Sequence, residues 1–386
     1  MQTTNTPPDY EKINIWLLKC TCIFWLFAKL IGWRMFTTNR LFPTAPVFEI
    51  LDNIPAAIHL TLFFLSVLFL VLLIILKKNK AVLWGLLIAE IFSCLLDQNR
   101  WQPWEYQYLF VVFIFIVNAN NQKLIIIAFT FILVSTYIYS GFGKLNEGFL
   151  QTIWAKMILH LFLKIPGRAT TQHWLYYSGY VVGSVELVAG TGLLFLKTRK
   201  LSACVLILMH LFILLLLGPF GLWYNKIVWP WNVAMIFYLY IIFLKKIPVI
   251  IPFKAIFNGW NIPVFICWGI LPALNFVGCW DSYLSSGIYS GKLPKMLICI
   301  KDTGKCKPLQ KFCRKDLLNT CNGQAVIDLQ YWAMTETNVA PYPEIRVYKK
   351  LQRKLEKVYP DAGFSFIYFV DGQRQKTKPA FFNAGL

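Results

Sequence analysis

The sequence is short of charge, and above all of negative charge. Only 15% of its 386 residues are charged, against about a quarter in soluble domains, and 38 lysines and arginines stand against 18 acidic residues. With 57% hydrophobic residues and a mean hydropathy of +0.54, the composition excludes an ordinary soluble domain. The net charge of +20 lies in short clusters between apolar runs, which indicates membrane topology and attraction to anionic lipid rather than nucleic-acid binding.

Several motifs are also missing. Residues 1–12 are polar and contain proline, and no small-residue cleavage pattern follows the first apolar run, so we expect the first span to be retained. The cysteines form no Cys-x-x-Cys pair, which argues against a redox motif and disfavours a zinc site. No inverted repeat is visible, which makes a transporter the less favoured alternative.

Apolar runs predict an all-α polytopic membrane bundle of about nine transmembrane helices. The runs cover residues 15–33, 57–76, 81–96, 106–118, 124–139, 174–196, 201–218, 228–244 and 262–280. The fourth and ninth are short or interrupted by proline. Basic clusters that include Lys77, Lys197 and Lys246 predict cytoplasmic loops, which places the N-terminus inside and the C-terminus outside.

The hydropathy falls after residue 280, which predicts a membrane domain over residues 1–280 and a small extracytoplasmic α+β cap over residues 281–386. Strands are expected at KMLICI and FSFIYFV, and an amphipathic helix at PEIRVYKKLQRKLEKVY. The apolar face expected for that helix holds Ile345, Val347, Tyr348, Leu351, Leu355 and Val358.

Four cysteines of the cap lie within 23 residues of the sequence: Cys299, Cys306, Cys313 and Cys321. An even set of closely spaced cysteines in an oxidising compartment predicts two disulfides, with three connectivities open. The other six cysteines lie in or beside spans and are interpreted as small packing residues.

The stretch from Tyr137 to Trp154 combines an apolar run with a cation. Lys144 follows Ser-Gly-Phe-Gly at the end of a predicted span, where an ammonium must reach water or a partner. The first of these glycines, Gly141, allows another group to come close. Lys144 is either a lysine that extends to the lipid head groups or a candidate catalytic residue.

A second segment, LDQNRWQPWEYQYLF, is expected on the same outer face as Lys144. It carries Asp97, Trp101 and Tyr106 at a membrane boundary, where an aromatic belt beside a charged loop is the alternative interpretation. Glu90 lies on the preceding helix, and an intramembrane carboxyl there should face the bundle, find a partner or stay protonated.

A third segment, GPFGLWYNKIVWPWN, completes this outer face. It carries Asn225 and Asn232, and His210 lies in the span before it. This histidine is either a proton carrier or a hydrogen-bonded structural residue. Glu186, in a glycine-rich span, is a second intramembrane carboxyl whose small neighbours permit close helix approach.

Two of these segments resemble the vitamin K-dependent gamma-glutamyl carboxylases and their bacterial relatives, the HTTM proteins. The first has that family's Leu-Asp with a Trp four residues later and a following Tyr, and SGFGKLNEGF is similar to its Gly-x-x-Lys-Leu segment. The matching residues are Asp97, Trp101, Tyr106, Gly141, Lys144 and Leu145. The stretch VELVAGTGLLFL is similar in style to DoxX-like quinone-associated proteins.

The resemblance implies a quinone ligand, menaquinone-like or vitamin K-like, with Lys144 as the base that starts quinol oxygenation. If the protein is such an enzyme, we expect His210 or a carboxyl, with Asp97 as the candidate, to complete the proton path. The candidate cofactor-binding residues are Trp101, Tyr106, Gly141, Asn225 and Asn232. Where the carboxylases have an Asn-His pair, this chain has Pro103-Trp104, and the small cap expected over residues 281–386 stands where they have a large luminal domain. Glutamate carboxylation is therefore not expected.

Two classes of function stay open. The first is a quinone-linked redox or modifying enzyme with its site on the outer face; bacterial inner membrane, with a periplasmic C-terminus, is what the resemblance implies. The second is a non-catalytic scaffold whose basic cap contacts an extracytoplasmic protein. In the scaffold, Lys144 would form a structural ion pair with Glu90, Asp97 or Glu105.

Overall fold

Helices dominate the chain. The computed structural model describes residues 9–76, 78–245, 253–257, 259–316, 319–370 and 373–376. The α-helices before residue 280 are α1 (Tyr10–Ile31), α2 (Trp33–Phe36), α3 (Ala56–Leu76), α4 (Lys80–Leu96), α5 (Pro103–Val117), α6 (Gln122–Phe142), α7 (Glu147–Phe149), α8 (Gly167–Thr170), α9 (His173–Tyr177), α10 (Gly179–Gly192), α11 (Arg199–Leu217), α12 (Val228–Leu239), α13 (Ile262–Phe265) and α14 (Leu271–Leu274). Helices α7 and α12 continue as π-helices over Leu150–Phe162 and Tyr240–Leu244. A third π-helix, Ile266–Ile270, joins α13 to α14.

Polar residues set the starts of the long helices. The side chain of Asn79 accepts a hydrogen bond from the Val82 amide at 3.2 Å, and Asn121 caps α6 in the same way through the Leu124 amide at 3.0 Å. Helix α5 begins at Pro103, where a missing N–H leaves no hydrogen bond unmade. These caps divide the apolar sequence into separate helices.

Within the described ranges, five helical segments are long and apolar enough to cross a bilayer: Tyr10–Ile31, Ala56–Leu76, Gln122–Phe142, Arg199–Leu217 and Gly259–Val277. Two shorter apolar helices, Pro103–Val117 and Val228–Leu244, lie among them. The length and composition of these helices are therefore compatible with an integral membrane protein, as predicted. The basic residues Lys77 and Lys246, assigned to loops, lie outside the described residues.

One expected span is interrupted. The region expected as one span over residues 174–196 holds two helices, α9 and α10, which meet at Ser178, and α10 ends at Gly192. The Ser178 hydroxyl donates to the Leu175 carbonyl at 2.6 Å at this junction. Helix α10 then packs closely on α6: a Cβ on Gly183 would lie 3.0 Å from the Lys144 Cβ, and one on Gly190 would lie 2.7 Å from the Tyr137 Cβ. Glycines thus bring the backbones of these two helices together.

The C-terminal part contains an antiparallel sheet in the order β2-β1-β3-β4. Its strands are β1 (Lys295–Ile300), β2 (Ala325–Asp328), β3 (Phe364–Val370) and β4 (Gln373–Lys376), and its helices are α15 (Leu329–Thr337) and α16 (Ile345–Val358). The two expected strands are β1 and β3, and Leu297 pairs with both Asp328 and Ile367. The apolar face expected for α16 is buried at four of its six positions, whereas Val358 is 64% exposed.

The loop after α2 connects the C-terminal part, which contains the sheet, to the helices before residue 280. Glu336 on α15 accepts hydrogen bonds from the amides of Leu41 and Phe42 at 2.7 and 2.8 Å. Phe42 and Ala45 are buried in the same apolar core as the sheet. The cap therefore shares its core with a segment from the first fifth of the chain.

The cysteine prediction is half right. Cys299 and Cys321 form a disulfide that ties β1 to the loop before β2. Cys306 and Cys313 are free thiols, so the predicted second disulfide is wrong: they lie in or at the end of the 3₁₀ segment Thr303–Phe312, with their sulfurs facing backbone carbonyls at 3.6–3.8 Å. Among the described residues, no group of three metal-ligating side chains is assembled.

Candidate functional site

Asp97 lies directly after α4 and is completely paired. Its Oδ1 accepts from the Ala45 and Asn99 amides at 3.0 and 3.1 Å, and its Oδ2 lies 2.5 Å from Arg40 Nη2. The residue is fully buried. A carboxylate with this many donors braces two loops against each other and favours a structural role over the catalytic one predicted.

Arg100 completes this brace. Its guanidinium donates to the carbonyls of Met35, Phe36 and Ser93 at 3.0–3.1 Å and lies 2.9 Å from His59 Nδ1. Every side of the buried cation is satisfied, mostly by backbone oxygen. The charged sequence around Asp97 is thus an architectural element.

Trp101 and Tyr106 belong to an aromatic cluster. Their ring centroids are 6.3 Å apart, and Tyr106 stacks on Trp268 at 5.1 Å. The Tyr106 hydroxyl donates to the Cys267 carbonyl at 3.3 Å. Tyr106 therefore holds α5 against the segment between α13 and α14, and Trp101 packs beside Tyr106.

Lys144 pairs with Glu186. The Lys144 Nζ lies 2.6 Å from Glu186 Oε2 and 2.5 Å from Ser140 Oγ, with 14% of the lysine side chain and 4% of the glutamate side chain exposed. The partners expected for a structural pair were wrong, because Glu90 and Glu105 surround Lys29 and Asp97 binds Arg40. The close packing of α6 on α10 selects Glu186 instead.

A chain of hydrogen bonds runs beside this pair. The Asn232 Nδ2 donates to the Val228 carbonyl at 2.8 Å, so its Oδ1 faces His210 Nδ1 at 2.7 Å as an acceptor. In the neutral ring the other nitrogen, Nε2, then accepts from the Tyr137 hydroxyl at 2.8 Å. Lys144 and Glu186 lie within electrostatic range of His210.

The resulting Lys144 cluster, defined as Lys144, Glu186, Tyr137, His210 and Asn232, draws on α6, α10, α11 and α12. Its carboxylate, imidazole and phenol are side chains that can each take up or release a proton. Sequence reasoning missed Tyr137, although a tyrosine seven residues before Lys144 lies on the same face of α6. It also left Glu186 without a partner.

A second charged cluster lies inside the bundle. Lys29 Nζ is 2.5 Å from Glu90 Oε2 and 3.5 Å from Glu105 Oε1, and all three side chains have no exposed surface. The Trp25 Nε1 donates to Glu105 Oε2 at 2.9 Å, and the Ser66 hydroxyl bonds Glu90. This Lys29 cluster was not predicted, although a lysine within the first apolar run was its signal.

Asn225 lines a chamber of about 850 Å³ between the helices and the cap. It is 7% exposed, its Nδ2 donates to the Tyr289 hydroxyl at 2.9 Å, and its Oδ1 has no hydrogen-bond partner in the described structure. Tyr224, beside it, accepts from Gln330 Nε2 at 2.7 Å. Asn225 and Asn232 therefore belong to different places, the chamber and the Lys144 cluster.

The chamber's tyrosines differ in their electrostatics. Burial raises the pKa of Tyr283 and of Tyr289, so both keep their hydroxyl protons at neutral pH. Tyr331 differs: a hydrogen bond with Arg314 lowers its pKa, and the guanidinium carbon lies 3.5 Å from the ring centroid. The chamber thus offers hydroxyl donors on one wall and an arginine on another.

The three polar segments expected on one face all contact the C-terminal part of the chain. The Tyr342 amide donates to Asn99 at 3.0 Å, and Asn146 Nδ2 donates to the Ser290 carbonyl at 3.0 Å. Tyr224, in the third segment, binds Gln330 of the cap.

No family model, curated protein or solved structure matches the chain at a significant level.

Proposed function

We propose that the protein is an integral membrane protein that binds a quinone-like lipid at the Lys144 cluster and exchanges protons with it. The observation that carries this proposal is the Lys144–Glu186 ion pair beside the Tyr137–His210–Asn232 hydrogen-bond chain. Charged and titratable groups inside a membrane bundle mark functional sites by default, because their burial is costly.

The pair changes the role first expected for Lys144. Glu186 would accept a proton from a phenolic hydroxyl of the ligand, and the Lys144 ammonium would stabilise negative charge on that oxygen. His210 then offers the next acceptor along the chain. The resemblance to the vitamin K-dependent carboxylases supports the ligand class, and nine spans with an external C-terminus in a bacterial inner membrane belong to the same proposal.

A non-catalytic scaffold is the second candidate, favoured by one observation. The Lys144 ammonium is already neutralised by Glu186, as a structural pair would be. In this case the bundle would hold the cap in place, and the cap's basic surface would contact an extracytoplasmic protein. Removal of one charge would then affect folding alone.

Two variants separate the candidates. Lys144→Met leaves Glu186 buried without its cation, which costs about 3 kcal/mol, whereas Lys144→Met with Glu186→Gln removes both charges and recovers most of the stability. Lys123→Met, which removes an exposed lysine from the first turn of α6, is the matched control. Bound lipids are extracted from the gently purified proteins and identified by mass spectrometry beside thermal melting curves.

The enzyme proposal expects a quinone in the wild type and in Lys123→Met, and its loss in the double variant even though that variant melts near the wild-type temperature. If no protein carries a quinone and only the single variant melts lower, the scaffold is the correct function. Retention of quinone by the double variant would also place the ligand elsewhere.

A further inference from the structure

The chamber around Asn225 has the walls of an amphiphile site. Ile153, Met157 and Leu161 of the π-helix after α7 form one apolar side, and the cap closes the opposite side. Its volume of about 850 Å³ falls within the range of about 300–1,000 Å³ typical of pockets for small molecules. None of its lining residues belongs to the Lys144 cluster, so the site is independent of the function proposed above.

Positive charge dominates the chamber. Lys156, Lys226, Lys295 and Arg314 line it, against one carboxylate, Asp328. That carboxylate caps α15 by accepting from the Tyr331 amide at 3.0 Å. In the part of the chain that the structure describes, none of the four cations forms an ion pair.

Two of these cations lie over aromatic rings. Lys226 Nζ is 4.5 Å from the Trp223 ring centroid, and Arg314 lies against Tyr331. Cation–π contact orients an ammonium or guanidinium without neutralising it. Their charge therefore remains available to an anion in the chamber.

The chamber also contains a hydrogen-bond acceptor without a donor. The Asn225 Oδ1 is buried and unpartnered, which costs free energy until a donor reaches it. The left-handed backbone of Asn225, at φ 51°, holds the amide in this position beside the Tyr289 hydroxyl. A ligand that fills the site has an anionic group for the cations, a hydroxyl for Asn225 and apolar chains for the helix wall.

We propose that the chamber binds an anionic glycerophospholipid with a hydroxylated head group, such as phosphatidylglycerol, drawn from the surrounding leaflet. The phosphate lies among Lys226, Lys295 and Arg314. A head-group hydroxyl donates to Asn225, and the acyl chains follow Met157 and Leu161 out of the chamber.

The test uses the full-length protein and native mass spectrometry with defined lipids. A lining variant, Lys226→Gln with Lys295→Gln and Arg314→Gln, is compared with an equal loss of charge outside the chamber, Lys292→Gln with Lys301→Gln and Lys307→Gln. Since a cation near a lipid surface contributes strongly to anion attraction, the lining variant should retain phosphatidylglycerol at least about tenfold more weakly. The control variant should stay within about twofold of wild type.

Two further lipids and one soluble compound sharpen the result. Phosphatidylmethanol carries the same charge without hydroxyls, so weaker binding than phosphatidylglycerol supports the contact with Asn225, and equal binding overturns it. Phosphatidylcholine should not compete. Equal effects of the two triple variants would overturn the site, and binding of free glycerol 3-phosphate as tight as that of the lipid would overturn the lipid assignment.

Discussion

Two lysines inside the helical bundle show how differently the same side chain is used. Lys29 has no exposed surface, faces two carboxylates and lies 3.8 Å from the Phe36 ring centroid. Lys144 is 14% exposed and faces one carboxylate, Glu186, with a serine hydroxyl beside it. The first is enclosed on every side, and the second lies at the end of α6.

This difference in exposure distinguishes the Lys29 cluster, which is structural, from the Lys144 cluster, where we propose the binding site. A cation between two buried carboxylates joins α1 to α4 and α5 and leaves a ligand no way in. The Lys144–Glu186 pair is partly exposed, so a ligand could reach it, which is why the proposed site is placed there and not at Lys29. Buried charge alone is therefore a poor guide to function in this bundle, and access decides between the two clusters.

The largest predicted effect is that of Lys29→Met. It leaves the carboxyls of Glu90 and Glu105 together in the interior without a cation, which we expect to cost about 5 kcal/mol, the upper end for a broken buried pair. Lys144→Met should cost less, about 3 kcal/mol, because part of its site reaches the surface. Thermal and denaturant unfolding in detergent measures both.

Lys12→Met, an exposed lysine at the start of α1, is the control for the loss of a cation from that helix. It should change the free energy of unfolding by less than about 0.5 kcal/mol. Equal losses for Lys29→Met and Lys144→Met would show that access does not distinguish the two clusters.

Gly141→Ala breaks the second cluster through the backbone. A Cβ at this position would lie 2.6 Å from the Leu187 amide nitrogen, so α10 must move away from α6 and carry Glu186 from Lys144. We expect a loss of about 2 kcal/mol, typical of overpacking, and a weaker quinone signal. Gly167→Ala, with no atom within 4 Å of its Cβ, is the matched control and should be neutral or slightly stabilising.

The long apolar helices, the two strands and most of α16 were predictable, because each is set by local periodicity and length. Helices α9 and α10 were merged into one expected span, since the hydropathy of residues 174–196 does not reveal the junction at Ser178. Cysteine spacing predicted two disulfides, but only the tertiary placement of β1 against the following loop decides which thiols meet.

The candidate site was predictable residue by residue but not in its pairing. Lys144, His210 and Asn232 were selected on their chemistry; the structure joins His210 to Asn232 by a hydrogen bond and places Lys144 within electrostatic range of His210. Their partners, Glu186 and Tyr137, depend on the register of α6 against α10, which glycine packing fixes. Asp97 was selected in the same way, yet two of its donors, Ala45 and Arg40, lie 52 and 57 residues away in sequence, so its brace could not be foreseen.

The smallest predicted effect lies in the Lys29 cluster, at Glu105. Glu90 and Glu105 share one cation, and Glu105 Oε1 has no hydrogen-bond partner in the described structure. Glu105→Gln keeps an oxygen for the Trp25 N–H and removes one of two like charges, so its cost should be below about 1 kcal/mol. Glu90→Gln breaks the 2.5 Å contact with Lys29 and should cost about 3 kcal/mol. Equal losses of unfolding free energy in the two variants would show that Lys29 needs both carboxylates. The Lys29 cluster would then be a unit of three charged residues, rather than a Lys29–Glu90 ion pair with an additional carboxyl beside it.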